Sequence, residues 1–146
     1  MSKYDRVKES IKIHEGFRME PYLCTEKHLT GGWGHKIIDG EMIPYTEEGW
    51  QKLFDKDFET ALNGARELVD EQKVHPIAFE VVIEMVFQLG KTGVSKFKKT
   101  LAAIDRHGYM DAGWEMKDSK WNMQTPNRCE ELSLRMRNIP EQPMYI

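Results

Sequence analysis

Between two stretches of clear helical periodicity lies one, residues 17–43, in which that period disappears. Gly31, Gly32, Gly34 and Gly40 punctuate short apolar pieces there, and Asp39-Gly40 stands between Ile37-Ile38 and Met42-Ile43. Short apolar runs parted by glycine turns read as a small antiparallel sheet built of hairpins. On the N-terminal side, Tyr4, Val7, Ile11 and His14 recur at helical spacing, which predicts a first helix over residues 3–14 that Gly16 ends. On the C-terminal side, Thr46 is a good N-cap, and Glu47 and Glu48 suit the positive end of the helix that follows. Trp50, Leu53, Phe54, Phe58, Ala61, Leu62 and Ala65 form the apolar stripe of that helix, predicted over 47–68. A sheet confined to one short segment and flanked by helices restricts the chain to an α+β fold.

The remainder reads as helical. Pro76 suits a first helical position, and residues 77–89 are apolar on nearly every side, with Glu84 and Gln88 as polar exceptions. Gly90 reads as the stop. Shorter helices are predicted near 95–106 and 110–117. The last begins at Thr125-Pro126, an N-cap followed by a first-position proline, with Cys129, Leu132 and Met136 as its stripe. The tail from Pro140 reads as irregular. The expected organisation is a single domain, 1–146: a sheet lobe over about 15–45, a connecting helix over about 47–68, and a helical lobe over about 74–146 that the first helix joins. Two lobes sharing one helix would leave a cleft, the usual place for a ligand.

Charge and composition exclude several classes of function. The formal net charge is -3, with net -5 over residues 1–72 and +2 over 73–146, so no basic footprint for nucleic acid is present. Two cysteines, Cys24 and Cys129, make a poor disulfide framework and read as free thiols of a reducing compartment. His14, His28, His35, His75 and His107 lack metal-ligand spacing, so no metal and no cofactor is expected. No segment approaches the roughly 20 apolar residues of a membrane span. The N-terminus MSKYDRVKES lacks the apolar core of a secretory signal. A monomer without membrane insertion is expected.

The chemistry concentrates after the first helix. Glu15 falls at the negative end of the helix dipole, which disfavours an ionised carboxylate. A carboxyl group that keeps its proton is what a general acid needs, although surface glutamates at helix ends are common. Cys24 reads as a nucleophile, a base or a small buried hydrophobe. Thr30 either holds a water molecule or is an ordinary strand residue. Gly31, Gly32 and Gly34 either let a substrate approach the backbone or relieve strand twist. His35 is catalytic or structural, with Asp57 as an available ion-pair partner, because a carboxylate on a core-facing stripe needs one. Arg128, at the third position of the last helix, opposes the dipole there, so a carboxylate such as Glu15 across the cleft is expected to compensate.

Three motifs in order resemble the phage lysozymes of the T-even type, glycoside hydrolase family 24. They are Glu15-x8-Cys24-x5-Thr30 with Gly32-x-Gly34-His35 behind it, Met85-Val86-Phe87-Gln88-Leu89-Gly90, and Trp121-x2-Gln124-Thr125-Pro126-Asn127-Arg128. The resemblance implies a lysozyme-like α+β muramidase, an endolysin that cuts bacterial peptidoglycan between N-acetylmuramic acid and N-acetylglucosamine. It would be made in the host cytoplasm and reach the wall after membrane permeabilisation. Glu15 matches the family's general acid, Cys24 the position usually held by Asp, and Thr30 its threonine. Gly32, Gln88, Trp121, Gln124 and Arg128 match residues that bind substrate or support the cleft, and His35 and Asp57 a structural ion pair. The connection from His35 to Thr46 is shorter than in the T-even enzyme. A mostly neutral thiol is a poor base, so Cys24 and Thr30 together would position water for an inverting hydrolysis. The competing readings are a non-catalytic glycan-binding module on the same fold and a lytic transglycosylase.

Overall fold

The computed structural model describes residues 2–24 and 27–140. Its element order is α1 (Asp5–Glu15), β1 (Arg18–Leu23), β2 (Leu29–Gly32), β3 (His35–Lys36), α2 (Glu47–Leu68), α3 (Pro76–Ser95), α4 (Lys98–Asp105), α5 (Tyr109–Lys117), α6 (Lys120–Gln124) and α7 (Pro126–Arg137). The strands form one antiparallel sheet in the order β1-β2-β3, so the fold is α+β. The chain divides into two compact units, Met1–Thr60 and Ala61–Ile146, with α2 running through the boundary. The irregular tail expected after Pro140 lies outside the described residues.

In the first unit, Gly16 ends α1 with φ +70° and donates its N–H to the Lys12 carbonyl. Strand β1 pairs with β2 through Arg18 and Gly32, Tyr22 and Thr30, and Leu23 and Leu29, with an irregularity between Arg18 and Tyr22. That irregularity leaves the Met19 carbonyl to accept the indole N–H of Trp50 at 3.0 Å. Trp50 is 1% exposed. Its ring lies where a Cβ on Gly31 or Gly32 would fall. These glycines therefore serve close packing of sheet against helix, a third role beside the two foreseen from sequence. Thr46 caps α2 as expected, its Oγ1 accepting from the Gly49 N–H at 3.1 Å.

The second hairpin ends earlier than the sequence suggests. Asp39-Gly40 does form a turn, with the Glu41 N–H donating to the Ile38 carbonyl, but no strand follows it. The Glu41 carboxylate takes the Ile38 N–H at 3.1 Å, a donor that a partner strand would need. Ile38 and Met42 are 72% and 90% exposed, so pairing would bury no apolar face.

In the second unit, Ala78, Phe79, Val81, Val82, Ile83, Met85 and Val86 of α3 are buried, as its apolar character requires. Gly90 breaks the helical geometry with φ +80° and ψ 158°, the stop read from the sequence, and a second short helical segment continues α3 beyond this kink to Ser95. The short α6 was not foreseen; Ser119 caps it, accepting from the Asn122 N–H at 3.2 Å. Gly113 lets α5 and α7 approach closely: a Cβ there would meet the Ser133 carbonyl at 2.9 Å, and the Ser133 hydroxyl donates to the Gly113 carbonyl at 2.7 Å. Cys129 is buried, and its thiol donates to the Met116 carbonyl at 3.6 Å. Burial pushes that thiol up to about 11. Cys24 and Cys129 are both free cysteines.

Candidate active site

Glu15 is the last residue of α1 and is half-buried. The turn joining β2 to β3 comes up against it. Gly34 in that turn has φ +74°, and a Cβ there would lie 2.5 Å from Glu15 Oε1. Only glycine satisfies both the backbone conformation and the close approach. Beside Gly34, Trp33 packs on Phe17 with ring centroids 4.5 Å apart and on Phe54 at 5.9 Å. The Lys12 ammonium lies 4.2 Å from the Trp33 centroid and donates to Gln51 at 2.5 Å. The turn that supports the carboxylate is thus fixed by an aromatic cluster capped by a cation.

Cys24 and Thr30 lie on the β1–β2 hairpin, in the same unit as Glu15. The Cys24 N–H donates to the His28 carbonyl at 2.9 Å, and the Lys27 N–H to the Cys24 carbonyl at 2.8 Å. Thr30 is 4% exposed, and its hydroxyl donates to the His28 carbonyl at 3.1 Å. With its proton committed, that oxygen is left as a hydrogen-bond acceptor. Tyr22 and Thr30 are directly paired, so they share a face of the sheet. Glu15 meets the end of β2 near Gly34, and Thr30 stands at its start.

His35 joins Asp57, and also Glu41, which the sequence reading did not connect to it. Nδ1 is 2.7 Å from Asp57 Oδ2, and Nε2 is 2.8 Å from Glu41 Oε2. A neutral imidazole donates only once, so two carboxylate contacts call for the doubly protonated ring. Burial alone would lower the His35 pKa, but hydrogen bonds and charges from Asp57 and Glu41 reverse this and hold it above 6.5. The two ends of the His35–Asp57 pair pull differently. Burial pushes Asp57 up even though His35 draws it down. Burial also works against Glu41, but the Ile38 N–H and His35 hold it below its ordinary value. The contact geometry favours the imidazolium, and that direction governs the pH dependence.

A raised histidine stabilises the fold fully below the unfolded pKa of about 6.5, and the contribution is lost as pH rises through the folded value. Glu41 acts in the opposite sense, losing its contribution as pH falls through its lowered value. His35→Asn should therefore cost about 1–3 kcal/mol near pH 6. Thermal unfolding of both proteins from pH 5.5 to 8.5 should show the gap closing above neutrality. A gap independent of pH would contradict the imidazolium assignment.

In the second unit the polar exceptions of α3 face α6 and α7. Gln88 Oε1 accepts from the Trp121 indole N–H at 2.9 Å, and its Nε2 donates to Thr125 Oγ1 at 3.2 Å. Thr125 therefore gives no side-chain cap to α7, contrary to the sequence reading; its hydroxyl is engaged with Gln88. Gln124 is exposed at the end of α6. Within its own unit Arg128 meets a carboxylate that the sequence reading did not connect to it: Glu84, fully buried, lies 3.4 Å from Arg128 Nη2 and 3.3 Å from Arg135 Nη1. Glu84 was visible in the sequence as a charge in an apolar helix, a signal that a cation must meet it. A shallow polar hollow lined by residues 66–72 and Asp105 contains none of these side chains. No helix among the described residues is long and apolar enough to cross a membrane.

A helical protein with one small antiparallel sheet and a carboxylate set at the end of the first helix is an α+β protein of lysozyme type. The phage lysozyme family model matches residues 12–138, and the chain belongs to the phage lysozyme family. It is 31% identical over 160 residues to the probable T4-type lysozyme 2 of Dictyostelium discoideum, covering 86% of this chain and 90% of that protein. It is 30% identical to the peptidoglycan hydrolase gp36 of Pseudomonas phage phiKMV over 88% of this chain, but only 15% of that longer protein. It is 26% identical to the pre-baseplate central spike protein Gp5 of Enterobacteria phage T4, again over a fraction, 26%, of its length.

Proposed function

We propose that this chain hydrolyses the β-1,4 bond between N-acetylmuramic acid and N-acetylglucosamine in bacterial peptidoglycan, with inversion at the anomeric carbon. The observation that carries the reading is the Glu15 carboxylate seated against the glycine turn at Gly34. In this mechanism Glu15 donates its proton to the glycosidic oxygen as the bond from that oxygen to the anomeric carbon breaks. A water molecule forms the new bond from the opposite face and releases its proton to solvent, from which Glu15 is reprotonated. The Thr30 oxygen, an acceptor because its own proton is committed, orients that water together with Cys24. Neither group is asked to form a covalent bond to sugar. Gln88, Trp121, Gln124 and Arg128 are the residues of the second unit assigned to glycan binding, and the Gly32 backbone that of the first. Host-cell lysis for phage release, after the inner membrane is permeabilised, is the role this activity would serve.

Digestion of purified sacculi tests the reaction. Reducing muropeptides ending in muramic acid, released first as the α-anomer, are expected. Anhydro-muramyl products would establish a transglycosylase instead, and binding without release a non-catalytic module. Cys24→Ala should slow the reaction by about 10–10²-fold, the cost of a misplaced reactant. Wild-type activity in that variant would remove the thiol from the site.

A further inference from the structure

Glu84 and Gln88 lie one turn apart on α3, so they project from the same side of the helix. Gln88 is held by Trp121 and Thr125, and Glu84 by Arg128 and Arg135. The two residues form successive polar rungs between an otherwise apolar helix and the α6–α7 segment. Glu84 is 0% exposed, and the Arg128 side chain 10% exposed. A buried carboxylate is tolerated only when paired, and an apolar group of similar volume would serve stability as well. Arg128 for its part stands in the first turn of α7, where the helix dipole repels a cation. Helix geometry therefore does not hold the guanidinium in place; a fixed carboxylate does. Arg135 meets the other oxygen of Glu84 and also Glu131 at 3.0 Å, so it braces the carboxylate from a second direction.

We propose that Glu84 is a positioning residue of the hydrolase: clamped by Arg135, it sets the orientation of the Arg128 guanidinium toward glycan. The proposal rests on the reading of Arg128 as a glycan-binding residue. It adds a residue outside the three motifs, one whose chemistry is hidden from substrate.

The test combines kinetics on soluble peptidoglycan fragments with NMR of the guanidinium. Glu84→Gln should raise KM about tenfold, as expected for a lost charge-assisted hydrogen bond, with kcat changed much less. Arg128→Lys should give a similar loss, and Glu84→Gln combined with it should add little, because one residue acts through the other. The Arg128 Nε–H resonance, ordered in the wild type, should broaden or vanish in Glu84→Gln. Unchanged KM, full additivity or an unaltered Arg128 resonance would each reduce Glu84 to a structural ion pair. If Glu84→Gln does not fold, Glu84→Asp, which keeps the charge on a shorter arm, is read by the same criteria. Failure of the wild type to release muropeptides would overturn the proposed reaction instead, and the NMR result would still decide whether Glu84 orients Arg128.

Discussion

Glu15→Gln is expected to lower the turnover of peptidoglycan by about 10²–10⁴-fold, the usual share of general acid catalysis. The amide keeps the size of the carboxyl group and its contact with the Gly34 turn, but has no proton of comparable acidity to give. The fold should survive. Glu15 is the last residue of α1 and only half-buried, and the isosteric amide leaves the helix and its Gly16 exit unchanged. Activity on sacculi and thermal unfolding, measured together, check both halves. Full activity with an intact fold would exclude Glu15 as the acid. Loss of activity accompanied by unfolding would return it to the ordinary structural residues.

The second large effect concerns stability. Trp50→Ala should destabilise the protein by about 3–5 kcal/mol, a substantial part of the 5–15 kcal/mol typical of a domain. The indole is 1% exposed, its N–H is bonded to the Met19 carbonyl, and its ring fills the space above Gly31 and Gly32. Its removal leaves a cavity under the strand that carries Thr30, and an unpaired carbonyl at the β1 irregularity. The mechanism predicts a change of sign. Gly31→Ala in the wild type pushes a methyl group into the ring and destabilises. In the Trp50→Ala background the same methyl group enters the cavity and should recover stability. Urea unfolding of the four proteins checks this. Equal effects of Gly31→Ala in both backgrounds would show that the glycine serves the backbone and not the ring.

The separation between what sequence shows and what folding decides runs through these residues. The span of α2, its Thr46 cap, the Gly16 exit from α1 and the buried character of α3 follow from neighbours within about four positions, where periodicity and capping act. Elements at a segment's margin are less legible. Residues 37–43 carry a hairpin-like sequence, but a strand forms only if a partner edge and a buried face are offered, and Glu41 instead takes the Ile38 N–H and turns to His35. Thr125 has the sequence of a cap, yet its hydroxyl goes to Gln88.

The sequence by itself determined the α+β class, the family, and the identity of the chemical groups: Glu15 at a helix end, Cys24 and Thr30 on a hairpin, His35 with a carboxylate within reach. It also showed that Asp57 and Glu84, charges on apolar surfaces, required partners. Only the tertiary structure chose the remaining partners: Glu41 beside the foreseen Asp57 for His35, Arg128 and Arg135 for Glu84, Gln88 for Trp121 and Thr125. The physical reason is that a local signal specifies that a buried charge or an amide must be satisfied. Which of several distant groups satisfies it depends on the chain closing on itself, through packing such as that of Trp50 on Gly31 and Gly32, which no short stretch of sequence encodes.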